Sequence, residues 1–378
     1  MINSLSEFLQ EIEKLSPKNQ IFYRGHHDCS YVLLPGIYRE GKLIENEESI
    51  YRDVITKSPD DFRGKNTLES LTLLQHYGAP TRVLDITENP LVALFFACND
   101  KFEEDGEVVV FDIPDSSVCH FNSDRVTILS NLAKCEKEFN YNSGMVPFFR
   151  NNIKELETKR QNFEPSEYIG GFFYENIFEF LENQSEEISN DIALTEFSVE
   201  LFEELLSKYQ LIYNNKKGEL DKKESKIFRN NFIDLLQRIL QIGVRKSIES
   251  VNQNFFGKLL HNIHEDKSYF DAIIDPEDVC KVLAVKPKLD NPRIVRQHGA
   301  FLIFGIDQIQ FVGFEDYKPM AKLNEEWTMC GEGKESRILI SSNAKTKILG
   351  ELSSIGINEA TLFPEIDKIA KLTKKKYS

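Results

Sequence analysis

The stretch from Leu74 to Ala97 constrains the fold more than any other part of the chain. A helix over residues 68–77, read from the recurrence of Leu68, Leu71, Leu74 and Tyr77, runs into Gly78, where a C-terminal cap belongs. Pro80 blocks its continuation. Residues 82–87 are short, β-branched and apolar enough to be a buried strand, broken only by Asp85. Asn89-Pro90 opens a second helix, with Pro90 at its first position, and residues 91–98 are apolar all round, so that helix should be buried. A chain that packs helix, strand and buried helix into so few residues belongs to the mixed α/β proteins, with helices laid on a sheet.

The flanking segments extend the pattern. Leu5, Phe8, Leu9, Ile12 and Leu15 mark a helix that Pro17 stops, and residues 21–25 read as a strand ending at Gly25. After a turn at Gly106, residues 107–113 form another strand. From about Val126 to Phe256 Glu and Lys are frequent and helical spacing dominates, with Phe197 to Tyr209 marking one helix and Phe228 to Ile242 another. Phe172, Phe173, Phe178 and Phe180 are read there as core. Strands return at 282–285, 293–295 and 300–304, and a late helix over 344–354 is followed by a last short one. The expectation is an α+β fold: a mixed, twisted sheet with packed helices and an α-helical insertion. Its parts are an N-terminal half of the core over 1–125, the insertion over 126–256 and a C-terminal half over 257–378.

Charge narrows the function. The net charge of -15 argues against a protein that coats nucleic acid by charge alone, because phosphate contacts need clustered Lys and Arg, but it leaves room for a local basic pocket. The six cysteines show no CxxC spacing and the chain opens without a basic, apolar leader, which predicts a reducing cytoplasm. The longest apolar runs are too short to span a bilayer. His261 and His264 have no third ligand in register, so no zinc site is expected, and no P-loop, GxGxxG, GxSxG or HExxH motif occurs.

Four patches could carry chemistry. In Tyr23-Arg24-Gly25-His26-His27 an arginine at a strand end sits beside a glycine that would let a ligand approach the backbone; a guanidinium grips phosphate or carboxylate with paired hydrogen bonds. In Gln75-His76-Tyr77-Gly78-Ala79-Pro80-Thr81-Arg82, polar side chains crowd a helix end that feeds a buried strand. In Asp85-Ile86-Thr87-Glu88-Asn89, Asp85 would need a partner if buried, supplied by Arg82 or Arg24, whereas Thr87 and Asn89 could equally cap the next helix. In residues 291–301, Arg293 and Gln297 interrupt an apolar strand pair.

These motifs resemble the FRG domain family. The matching residues are Tyr23-Arg24-Gly25, the run from Leu74 to Ala97, and the later Asn291-x-Arg293-x-x-x-Gln297-x-Gly299-x-Phe301 and Leu362-Phe363-Pro364. Tyr23 stands in place of the namesake Phe, and Ile86 where an aromatic is usual. A looser similarity, to the ADP-ribosyltransferases, implies an ADP-ribosyltransferase-like core that uses NAD as substrate, with Arg24, Thr87 and Gln297 in the catalytic positions. Around them, Tyr23, Gly25, His26, Gln75, His76, Tyr77, Thr81, Arg82, Asp85, Asn89 and Arg293 would form the binding surface. Gln297 stands where that family usually has Glu; Glu88 or Asp85 could supply the missing negative charge, or the site could bind without turnover. The short apolar runs predict no membrane association, and the resemblance further implies a protein or nucleic-acid acceptor and a role as bacterial toxin or antiviral effector with a cognate antitoxin or defence partner. A non-catalytic nucleotide- or partner-binding module is the alternative, and a nuclease is disfavoured by the lack of a carboxylate cluster suited to magnesium.

Overall fold

The computed structural model describes residues 1–159, 222–308, 317–328 and 337–377. They form two compact units, one built from residues 1–143 with 248–378 and the other from 144–247. The first unit is an α+β structure on one seven-stranded sheet. Its strands are β1 (Gln20–His26), β2 (Val83–Thr87), β3 (Gly106–Ile113), β4 (Val118–His120), β5 (Val282–Lys286), β6 (Gly299–Phe304) and β7 (Arg337–Ile340). Their order is β4-β5-β6-β2-β1-β3-β7, antiparallel throughout except for the parallel β4–β5 pair. The helices used below are α1 (Leu5–Glu13), α2 (Glu47–Lys57), α3 (Thr67–His76), α4 (Pro90–Cys98), α5 (Asp124–Asn131), α6 (Val146–Lys159), α7 (Lys222–Val251), α8 (Gly257–Asp266), α9 (Pro292–Arg296), α10 (Lys345–Ser354) and α11 (Ile366–Tyr377).

Alternate residues of a strand face opposite sides of the sheet. On one side Phe22, Leu84, Ile86, Phe111, Leu302 and Phe304 join Ala321 and Trp327 in a core that runs across the central strands. The other side carries two cores. Tyr23, Val108 and Val110 pack with α4, Phe8 and Ile348, whereas Val83, Leu283, Val285, Phe301 and Ile303 pack with residues of α5 and α8.

The local signals explain the elements beside the sheet centre. Asn66 and Glu69 close a reciprocal capping box at the start of α3, and Gly78 takes a φ of 86° just past its end. Asn89 accepts the Leu91 N–H at the start of α4, and Pro90 occupies the first turn. Helix α4 lies so close to β1 and β3 that a Cβ on Gly25 would sit 2.0 Å from the Ala93 carbonyl oxygen, and one on Gly106 2.3 Å from that of Ala97.

One sheet pairing is far shorter than its neighbours. Strand β1 pairs with β3 along its whole length, from Gln20↔Ile113 to His26↔Glu107, but with β2 only at Tyr23↔Thr87. Beyond that pair β1 and β2 part.

The sequence reading needs one correction here. Residues 293–295, expected as a strand, belong to helix α9, with Asn291 accepting the Arg293 N–H and Pro292 in its first turn. Polar residues therefore do not interrupt a strand pair; they line a short helix that precedes β6. The expected helix from Phe197 to Tyr209, and Phe172, Phe173, Phe178 and Phe180, lie outside the described residues. The helix expected over Phe228 to Ile242 falls within α7. In the second unit Gly243 of α7 lies against the ring of Phe149 on α6, 2.7 Å from where a Cβ would stand. No helix among the described residues is long and apolar enough to cross a membrane.

Candidate functional site

A cavity of about 280 Å³ opens where β1 and β2 part. Arg24, His26, Ile86 and Ala300 line it together with Gly25, Asp85, Thr87 and Phe301. The first four alternate with the second four along their strands, so a closed sheet would hold the two sets on opposite faces. They share one cavity because the sheet is open at this point. The walls are the end of α3 (Thr72, Gln75, His76), α4 (Val92, Phe96), and α9 with its flanks (Asn291, Arg293, Gln297). Tyr31 and Arg39 complete it from the loop after β1.

Arg24 is held from behind. Its Nε donates to His26 Nε2 at 2.9 Å, and His26 Nδ1 lies 2.9 Å from Glu107 Oε1. A guanidinium has no lone pair to offer, so His26 Nε2 accepts and the ring proton sits on Nδ1, which donates to Glu107. Glu107 is itself buried and takes two further bonds from Arg337 Nη1, at 3.0 and 3.1 Å. This arrangement needs a neutral imidazole; burial pulls the His26 pKa below 6.5, against the hydrogen bond that His26 donates to Glu107, which raises it. Arg24 Nη1 donates across the split to the Asp85 carbonyl oxygen, and Nη2 has no partner among the described residues. Burial lowers the Arg24 pKa to about 10, with Asp85 raising it and Arg39 lowering it further, so the guanidinium stays charged at neutral pH.

The opposite wall repeats the theme. Arg293 Nη1 lies 3.3 Å from His76 Nδ1, while His76 Nε2 faces Glu365 Oε1 at 3.4 Å. The same donor logic places the proton of His76 on Nε2. The Arg293 guanidinium also covers the Phe363 ring at 4.7 Å, a cation–π contact. Burial and the neighbouring Arg293 lower the His76 pKa, against Glu365 and Asp85. Between the walls, Gln75 Nε2 donates to Asp85 Oδ2 at 2.6 Å, and Thr81 Oγ1 donates to Gln75 Oε1, also at 2.6 Å. Asp85 is exposed to the cavity, so it is held by Gln75 and needs no buried counter-ion. Gln297 Nε2 donates to the Leu362 carbonyl at 3.1 Å, which leaves Oε1 without a partner among the described residues. Thr87 Oγ1 donates to the Gln297 carbonyl at 2.7 Å and accepts the Asn89 N–H at 3.0 Å.

Ten of the residues singled out from sequence meet at this cavity: Tyr23, Arg24, Gly25, His26, Gln75, His76, Asp85, Thr87, Arg293 and Gln297. Four do not line it. Tyr77 caps α3 and is 76 % exposed. Thr81 acts through Gln75. Asn89 spends its side chain on capping α4. Arg82 is fully buried; it bonds both carboxylate oxygens of Glu47 and the Phe304 carbonyl, and Lys318 Nζ reaches the same Glu47 at 2.9 Å. Its charge is spent inside the fold, so it is no partner for Asp85. Glu88, the alternative source of negative charge, pairs with Lys286 at 3.1 Å and does not line the cavity. The reason for Gly25 also changes: its missing side chain makes room for α4, not for a ligand.

Sequence reasoning missed Arg39, Tyr31 and Thr72 on the walls and Glu107 and Glu365 behind the histidines. The Pro35-Gly36 turn marked a bend but not what it presents, and the glutamates announce themselves only through strand register and the C-terminal fold.

The lining holds three arginines, Arg24, Arg39 and Arg293, against one carboxylate, Asp85. A chain with net charge -15 has thus built a cationic cavity. The family model of the FRG domain matches residues 19–106. The chain carries an FRG domain. No curated protein and no solved structure matches the chain. The matched span takes in β1, α3, β2 and α4, hence Arg24, Gln75, His76, Asp85 and Thr87. Arg293 and Gln297 are added to that cavity, and Glu365 is set behind His76, by elements far beyond that span.

Proposed function

We propose that the FRG domain cavity binds NAD and cleaves its nicotinamide–ribose bond, as an ADP-ribosyltransferase-like enzyme that passes ADP-ribose to a protein or nucleic-acid acceptor. The observation that carries this reading is the surplus of three arginines over one carboxylate in the lining, with no partner for Arg24 Nη2 among the described residues. Such a cavity fits an anionic nucleotide better than a neutral or cationic ligand. The order of parts agrees: a strand with Arg24-Gly25, a strand carrying Thr87 into the buried helix α4, and Gln297 before a late strand.

Cleavage leaves the bonding electron pair on nicotinamide and spreads positive charge over the ribose, as in glycoside hydrolysis. Asp85, oriented by Gln75 and Thr81, is the lining carboxylate able to face that charge. Gln297 Oε1 is an open acceptor for a ribose hydroxyl. Thr87, with its proton already committed to the Gln297 carbonyl, positions that residue. A second reading has one specific support: the third catalytic position is a neutral amide, which suits a module that binds a nucleotide without turning it over. A role as toxin or antiviral effector rests on the family resemblance alone.

Nicotinamide release from NAD by the full chain, with protein, RNA and DNA acceptors added in turn, tests both readings. Release that falls by roughly a hundredfold or more in Arg24→Ala and Asp85→Asn is expected for the enzyme. Full release by a folded Arg24→Ala protein removes the assignment, and nucleotide affinity without any release selects the binding module.

A further inference from the structure

Arg39 is the one lining arginine that no motif contains, and its backbone is held firmly. It follows the turn Gly36–Tyr38, which is docked on the segment leading into β2. Ile37 N–H donates to the Thr81 carbonyl at 3.1 Å, Ile37 is fully buried, and a Cβ on Gly36 would stand 3.3 Å from Pro80 Cα. Tyr38 adds a bond from its hydroxyl to the Lys318 carbonyl at 3.1 Å. Arg39 Nε donates to the Leu34 carbonyl at 3.1 Å, and its two terminal nitrogens have no partner among the described residues. Arg24 lines the same cavity and offers Nη2, which has no partner among the described residues. Neither guanidinium has a carboxylate ion-pair partner among the described residues. Two like charges held at one cavity are stabilised by an anion between them, and a guanidinium fork matches a phosphate edge.

We propose that Arg39 and Arg24 form a clamp for the diphosphate of a nucleotide, Arg39 taking one phosphate with its open fork and Arg24 the other through Nη2. The assignment rests on the reading of the cavity as a nucleotide site and names the part of the ligand that the positive surplus serves. Pro80 and Thr81 then matter to binding without touching the ligand, because they seat the turn that carries Arg39.

The test measures binding of ADP, AMP and adenosine to the full chain by calorimetry, for the natural sequence and for Arg39→Ala, with circular dichroism to verify folding. Arg39 is exposed, so the variant keeps its fold. ADP affinity should fall roughly tenfold to a hundredfold in Arg39→Ala, AMP affinity less, and adenosine affinity not at all. Unchanged ADP affinity, an equal fall for AMP, or no ADP binding by the natural sequence overturns the clamp. Nicotinamide release from NAD on the same samples separates this proposal from the enzyme reading. ADP binding that needs Arg39, without release, keeps the clamp and removes the transferase. Release with unchanged KM in Arg39→Ala keeps the transferase and removes the clamp.

Discussion

Arg82 and Arg24 both sit at the sheet centre, and their surroundings give them opposite roles. Arg82 has the two oxygens of Glu47, a backbone carbonyl and the nearby charge of Lys318; every part of its fork is answered inside the protein. Arg24 has a neutral histidine and a backbone carbonyl, so it is oriented but not neutralised. A buried arginine with its own carboxylate is a structural tie. One whose hydrogen-bond partners among the described residues are all uncharged keeps its charge available at the cavity. What the side chain binds inside the protein therefore decides whether it can bind anything else.

The largest effect should come from breaking the structural tie. Arg82→Ala leaves the Glu47 carboxylate buried with only Lys318, and should cost about 3–5 kcal/mol in denaturant unfolding. If Arg82→Ala unfolds no more easily than the natural sequence, the contrast with Arg24 fails. Arg24→Ala should do the reverse. Its stability cost, from leaving His26 Nε2 without its donor, is about 1–3 kcal/mol, whereas nucleotide binding and any nicotinamide release are lost.

A smaller effect separates the two arginines by pH. Burial pushes the Glu47 carboxyl up, but Arg82 and Lys318 more than offset it, so Glu47 is held below its ordinary 4.5. Stability from that pair is present above pH 4.5 and is lost only as pH falls through the lowered value. His26, facing Arg24, Glu107 and Arg337, is held below its ordinary 6.5, so the unfolded chain takes up a proton below pH 6.5 that the folded chain refuses. Stability should therefore begin to fall as pH drops below 6.5, well before Glu47 titrates. His27 and His76 are lowered too and add to the slope. Urea midpoints between pH 7.5 and 5 should show a shallower fall in His26→Gln; an identical slope would remove His26 from the account. The smallest effect belongs to Tyr77→Ala, expected within about 0.5 kcal/mol of the natural sequence in stability and without change in nucleotide affinity.

Much of the sheet centre was legible because its signals are local. Gly78, Pro80 and Asn89-Pro90 punctuate the chain where α3 stops and α4 starts. The same Asn-Pro signal stands at Asn291-Pro292, yet the β-branched Ile294 and Val295 beside β6 read as strand, and five helical residues are too few to show a period. Strands β4 and β7 are three and four residues long and left no alternation to find. Among candidate site residues, those on β1, α3 and β2 were legible from their crowding at element ends. Arg82 could not be told from a ligand-binding arginine, because its carboxylate lies 35 positions earlier, on α2. Arg39 gave no signal at all, since its place on the cavity wall comes from where Pro80 and Thr81 hold its turn.

The single Tyr23↔Thr87 pair has a mechanical consequence. An unzipped strand edge at the rim of a sheet invites another chain to add to it, but here the unzipped stretch lies between strands that are fully paired on their outer sides. The gap is thus internal to the sheet, and it opens on the cavity rather than on a free edge. A ligand that grips Arg24 on one strand and the Asp85–Gln297 side on the other would serve as the rungs this ladder lacks. Occupancy would then be written into the cohesion of the whole sheet, with β7-β3-β1 and β2-β6-β5-β4 fastened to each other by the molecule between them.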